Sequence, residues 1–266
     1  MKLLAAVLLA TAALPAAPLD DGFRQMYNLQ FEAAHRTFAA WSQQNPADPM
    51  GPVADAAAYL FSELDRLHIL ESEFLTDDQS FLDFHKPAAD PAVTRKLEAA
   101  LAKTQKLAEA ALVKTPDDTN AQLASALRWG LHADYLALIE KRNMAALSEV
   151  KQGRMIAERL LAKHPDVYDA YLAIGIENYL LSLKPAPIRW ILHAGGSETD
   201  RTTGLAKLLI TAEKGHYLLP YARVLLAIAD LRDHDPTRAR QWLSWLAKEY
   251  PGNRLYREEL AKLPNR

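Results

Sequence analysis

Beyond residue 20 no stretch alternates apolar and polar side chains at a period of two, whereas apolar residues recur at helical spacing almost everywhere. After Pro91, for example, Val93, Leu97, Ala100, Leu101, Leu107, Ala108, Ala111 and Leu112 fall on one face of a single long helix. The pattern predicts an all-α chain.

Four helix stops share one layout, a proline with an acidic or amide residue behind it: Asn45-Pro46-Ala47-Asp48, Thr115-Pro116-Asp117-Asp118, His164-Pro165-Asp166 and Tyr250-Pro251-Gly252-Asn253. Proline ends one helix and Asp or Asn can cap the next. These stops predict helix pairs over about 19–46, 50–115, 118–164, 167–214 and 217–250, with a closing helix at about 253–263. Twelve residues before each proline stand Ala34, Thr104, Gly153 and Ala239, small enough for two helices to approach closely. Ten residues after the first three prolines come Ala56, Ala126 and Gly175.

This spacing resembles the tetratricopeptide repeat, a helix-turn-helix unit of about 34 residues. Tyr171, Ile174 and Gly175 match positions of its first helix, while Phe31, Ala34, Phe38, Trp41 and Pro46, and again Ala239, Leu243, Leu246 and Pro251, match its second. Only the interval from Pro46 to Pro116 is near two ideal units, so insertions or degenerate units intervene. The resemblance implies a right-handed α-solenoid of about five antiparallel helix pairs over residues 18–266, with a C-terminal capping helix. A shorter stretch, Ile191 to Ser197 followed by Asp200-Arg201 and Gly204-Leu205, is similar to a subgroup of eukaryotic tetratricopeptide proteins associated with inclusion-body clearance.

Residues 1–17 change the picture from a plain helical array to an exported one. Lys2, an apolar run from Leu3 to Leu14 and then Ala16 and Ala17 have the layout of a signal peptide. Pro15, Asp20 and Asp21 end the run short of the roughly twenty residues a bilayer span needs. The expected location is periplasmic or secreted, with no integral span after signal removal. With 31 basic against 33 acidic residues and no run of like charge, nucleic acid is not an expected partner. Zero cysteines exclude disulfides and thiolate metal sites.

Catalytic and cofactor signals are thin. Gly195-Gly196-Ser197 lacks the rest of a phosphate-binding loop, and Ser197 with Asp200 has the spacing of a helix cap. None of the eight histidines forms the His-Glu-x-x-His pair; His68 with Glu71 comes nearest. No nucleophile elbow is present. No cofactor or metal is expected. Two interruptions, Thr76 to Asp90 and Lys184 to Ser197, are candidate functional loops, and a hydrolase or transferase site between them is the alternative to binding.

The repeat resemblance also implies a concave groove. In its register Asp169, Leu172, Ile176 and Tyr179 face that groove, joined by Asn120, Leu123 and Leu127. The expected function is an exported interaction scaffold, not an enzyme, that holds a peptide or partner helix there.

Overall fold

The computed structural model describes residues 18–71, 88–183, 196 and 199–264. The signal-like residues 1–17, most of the Thr76 to Asp90 loop, and the Lys184 to Ser197 loop apart from Gly196 lie outside the described residues.

All regular structure among the described residues is helical. The eleven α-helices of the described residues are α1 (Pro18–Tyr27), α2 (Phe31–Gln44), α3 (Met50–Arg66), α4 (Pro91–Lys114), α5 (Thr119–Asp134), α6 (Asn143–Lys163), α7 (Tyr171–Ser182), α8 (Arg201–Lys214), α9 (Leu219–Arg232), α10 (Pro236–Glu249) and α11 (Arg254–Lys262). A π-turn, Tyr135–Ile139, continues α5, and a 3-10 turn, Tyr168–Ala170, precedes α7.

The Pro-Asp and Pro-Asn stops act as the pattern predicts at three of four places. Asp118 and Asn253 cap α5 and α11 by accepting from Ala121 N and Leu255 N, and the Asp48 carboxylate accepts from Met50 N at the start of α3. After Pro165 the chain enters the 3-10 turn instead, with Tyr168 N bonded to the Asp166 carbonyl. The cap of α8 is Asp200, which accepts from Thr202 N, and the helix begins at Arg201.

Small residues set the helix crossings. Ala34, Thr104, Gly153 and Ala239 are all buried, as are Ala56, Ala126 and Gly175. A β-carbon on Gly175 would stand 2.9 Å from the Leu208 side chain and one on Gly204 2.5 Å from Tyr179 N, so α7 and α8 meet nearly backbone to backbone. Phe38 of α2 is fully buried against Phe23 of α1, their rings 5.5 Å apart edge to face. Burial of such a side chain contributes about 2 to 3 kcal/mol.

Each helix packs on the next, α1 on α2 and α3 on α4 through to α10 on α11. The first helices of successive pairs also touch, α1 to α3, α3 to α5 and α5 to α7. The first described helix then meets the last third of the chain. Phe23 stacks on Tyr217 at 4.6 Å, and the Tyr27 hydroxyl donates to the Tyr217 carbonyl. Asn253 Nδ2 donates to the Tyr27 carbonyl, and Gly252 N donates to Asn28 Oδ1. Arg254 reaches the Asp65 carboxylate at 3.0 Å. The first helices are thereby drawn around a common interior.

Candidate functional site

On α5 the residues Leu123, Ala126, Leu127, Gly130, Leu131 and Asp134 recur every three or four positions and form one stripe. That stripe faces an interior cavity of about 80 Å3. Phe23, Met26 and Tyr27 approach it from α1, and Val53, Ala54, Ala57 and Phe61 from α3. Asp169 and Ala170 of the 3-10 turn lead into Leu172, Ala173 and Ile176 of α7, while Leu218 and Tyr221 close the wall from the start of α9. All five pairs contribute their first helix.

Five of the seven groove residues expected from the sequence converge here: Leu123, Leu127, Asp169, Leu172 and Ile176. The other two lie elsewhere. Asn120 is exposed, and its Nδ2 donates to Asp48 Oδ1 at 2.7 Å. Tyr179 is 2% exposed in a core with Leu208, Ala212 and Leu226, with the Arg201 guanidinium 5.9 Å from its ring. Its hydroxyl has no hydrogen-bond partner among the described residues.

The polar groups of the wall differ in how they are satisfied. Asp169 accepts three successive backbone N–H groups, from His216 and Leu218 at Oδ1 and from Tyr217 at Oδ2. It fastens the 3-10 turn before α7 to the segment that leads into α9. Burial nevertheless raises its carboxyl above the ordinary range, against the pull of those N–H groups. Tyr27 is tied through its hydroxyl to Tyr217.

Asp134 has no such partner. Neither a hydrogen bond nor an ion pair reaches its carboxyl among the described residues. The residue is partly buried, and it lines the cavity. Burial alone pushes its pKa up to about 7. The π-turn starts at the next residue, a local departure that often marks functional positions. Across the wall the Tyr221 hydroxyl feels the Asp134 charge, and burial and that charge raise it well above its ordinary value.

Gly130, one turn before Asp134, meets nothing within 4 Å where a β-carbon would sit. No close helix approach requires glycine at this point, although glycine in a helix interior costs about 1 kcal/mol relative to alanine. The missing side chain leaves the cavity open.

The remaining polar clusters hold segments in place. Burial raises the Glu63 carboxyl, but hydrogen bonds from Arg66 and from Asp90 N outweigh it and hold the group below its usual range; together they tie the end of α3 to the start of α4. Arg154 donates to Glu177 at 2.7 Å, to Glu158 at 2.6 Å and to the Gly196 carbonyl at 2.9 Å. His68 and Glu71 stand 3.2 Å apart at the surface, and among the described residues no three His, Asp or Glu side chains gather as metal ligands. His35 with Asp55 and His132 with Glu149 form close pairs at 2.6 Å, and none of these four lines the cavity. No helix of the described residues is long and apolar enough to cross a membrane.

Asp134 and Gly130 escape sequence reasoning because they sit in an ordinary helical stripe. The available signal is Leu127, Gly130, Leu131 and Asp134 on one face, with a helix-weakening residue and a carboxyl where the stripe otherwise continues apolar. The chain matches no protein-family model and no curated protein sequence.

Proposed function

We propose that the chain is an exported, non-enzymatic binding protein: a right-handed, tetratricopeptide-like α-solenoid of five helix pairs whose inner face takes an apolar portion of a partner protein or peptide. The observation that carries this reading is the convergence of Leu123, Leu127, Asp169, Leu172 and Ile176 on one cavity to which every first helix contributes. The repeat register assigns these residues to the inner face without reference to any cavity.

The size of the space sets the mode of binding. With Phe23 of α1 stacked on Tyr217 ahead of α9 and about 80 Å3 of free space, a long helix has no room there, and a partner inserts a single side chain or a short end. Gly130 supports the reading, since it gives up helix stability and leaves volume unfilled. Export rests on the layout of residues 1–17.

Gly130→Leu tests the proposal because the leucine fills the cavity from a position with free space. The intact protein and this variant are crosslinked in the envelope fraction, and captured proteins are compared. A stoichiometric partner is expected with the natural chain and is lost with Gly130→Leu, whose melting temperature does not fall. Equal capture by both would place the partner on another surface.

A further inference from the structure

We infer that the cavity is a cation subsite, built to take a primary alkylammonium group on a short apolar stem, with Asp134 as the counter-ion. The inference rests on the inner-face reading above and names the chemistry that this face recognises.

Three observations converge. The wall around Asp134 is apolar or aromatic, with Phe61, Leu127, Leu131 and Ile176 among its members, so a bound stem would be desolvated. Within it stands one carboxyl that no cation, N–H or hydroxyl of the described chain satisfies. Buried carboxylates are normally paired, and this one faces open space. The facing titratable groups are Tyr221 from α9, Tyr27 from α1 and Asp169 from the turn before α7. Asp169 is spent on three backbone N–H groups and Tyr27 on the Tyr217 carbonyl, which leaves Asp134 and the Tyr221 hydroxyl to receive a ligand.

The donor count favours an ammonium over a guanidinium. An ammonium brings three N–H donors, which two carboxylate oxygens and one phenol oxygen can accept, whereas a guanidinium brings five and would leave donors stranded among apolar side chains. Volume agrees: a cavity of about 150 Å3 admits benzene with its six heavy atoms, so about 80 Å3 suits about three heavy atoms, the ammonium and the end of its stem. Two sources share this chemistry, a free small amine and the lysine side chain of a partner segment. The raised pKa of Asp134 fits the assignment, since an arriving cation restores the charged form.

Calorimetric titration of the intact protein with n-butylamine, n-butanol and Nα-acetyl-lysine amide at pH 7 tests the inference. The expected result is saturable binding of n-butylamine at least tenfold tighter than of n-butanol. Asp134→Asn removes that preference and keeps the n-butanol affinity, and Gly130→Leu abolishes both. Binding of the lysine amide with the same dependence on Asp134 identifies a peptide source, and its failure beside n-butylamine binding identifies a free amine. Equal affinity for amine and alcohol would overturn the cation assignment while leaving an apolar inner face in force. Amine binding that survives Gly130→Leu, or no amine binding at all, would overturn it as well; the partner capture described above stands or falls separately.

Discussion

Replacing Asp134 by asparagine keeps the shape of the side chain and removes its charge. In the unfolded chain the carboxyl titrates near 3.8, and in the folded protein burial moves it to about 7. The folded state therefore binds more protons than the unfolded state between about pH 4 and pH 7, and stability falls as pH rises through that window. At 1.36 kcal/mol for each pKa unit, the charged carboxyl costs about 4 kcal/mol once both states are ionised. Asp134→Asn should be about as stable as the natural protein at pH 4 and up to about 4 kcal/mol more stable at pH 8. Urea unfolding of both proteins at intervals from pH 4 to pH 8 provides the measurement. Titrations shared by the two proteins, including that of Asp169, cancel in the difference, and Tyr27 and Tyr221 stay neutral throughout. A difference that stays flat across the window would show that the Asp134 carboxyl is solvated or paired, and the electrostatic reading of the cavity would be wrong.

Gly130→Ala should raise stability by about 1 kcal/mol, seen as a melting temperature roughly 2 to 4 °C higher, because the new β-carbon meets no neighbour. Arg154→Ala should lower stability by about 3 to 5 kcal/mol in denaturant unfolding, since it strips the guanidinium from the buried Glu177 carboxylate. Tyr179→Ala should cost about 3 to 5 kcal/mol by the same measurement, as expected of a large side chain removed from a packed core. A loss of partner affinity from Tyr179→Ala with unchanged stability would return Tyr179 to the binding face.

The fold is legible where its causes are local. A proline followed by Asp118 or Asn253 stops one helix and caps the next within a few residues, so these boundaries can be read directly. The small residues Ala34, Gly153 and Ala239 are equally legible, because a close crossing demands them wherever the partner helix comes from. The candidate site depends on distant contacts. Tyr179 sits at a groove position of the repeat register, but Gly204 brings α8 against its backbone and the ring is covered. That outcome depends on a glycine well over twenty residues further along the chain. The cavity wall likewise needs Phe23 and Tyr27 to meet the Tyr217 to Tyr221 segment, 190 residues away between Tyr27 and Tyr217, and nothing in either segment alone announces the pairing.

The meeting of the first and last described helical segments alters how this helical protein comes apart. In an open stack of repeats the terminal units are held on one side only, so they fray first and protect the middle by melting in sequence. Here Asn28 and Tyr27 are latched to Gly252 and Asn253, and Asp65 to Arg254, so the terminal units have neighbours on both sides. Opening the latch exposes the first and last pairs together and also breaches the cavity wall. Loss of α11 should therefore loosen α1 almost as much as its own neighbour α10, and hydrogen exchange would find the two termini opening as one unit. The same latch forms only after the final residues are available, because it closes a loop of more than two hundred residues, a late and slow step in folding.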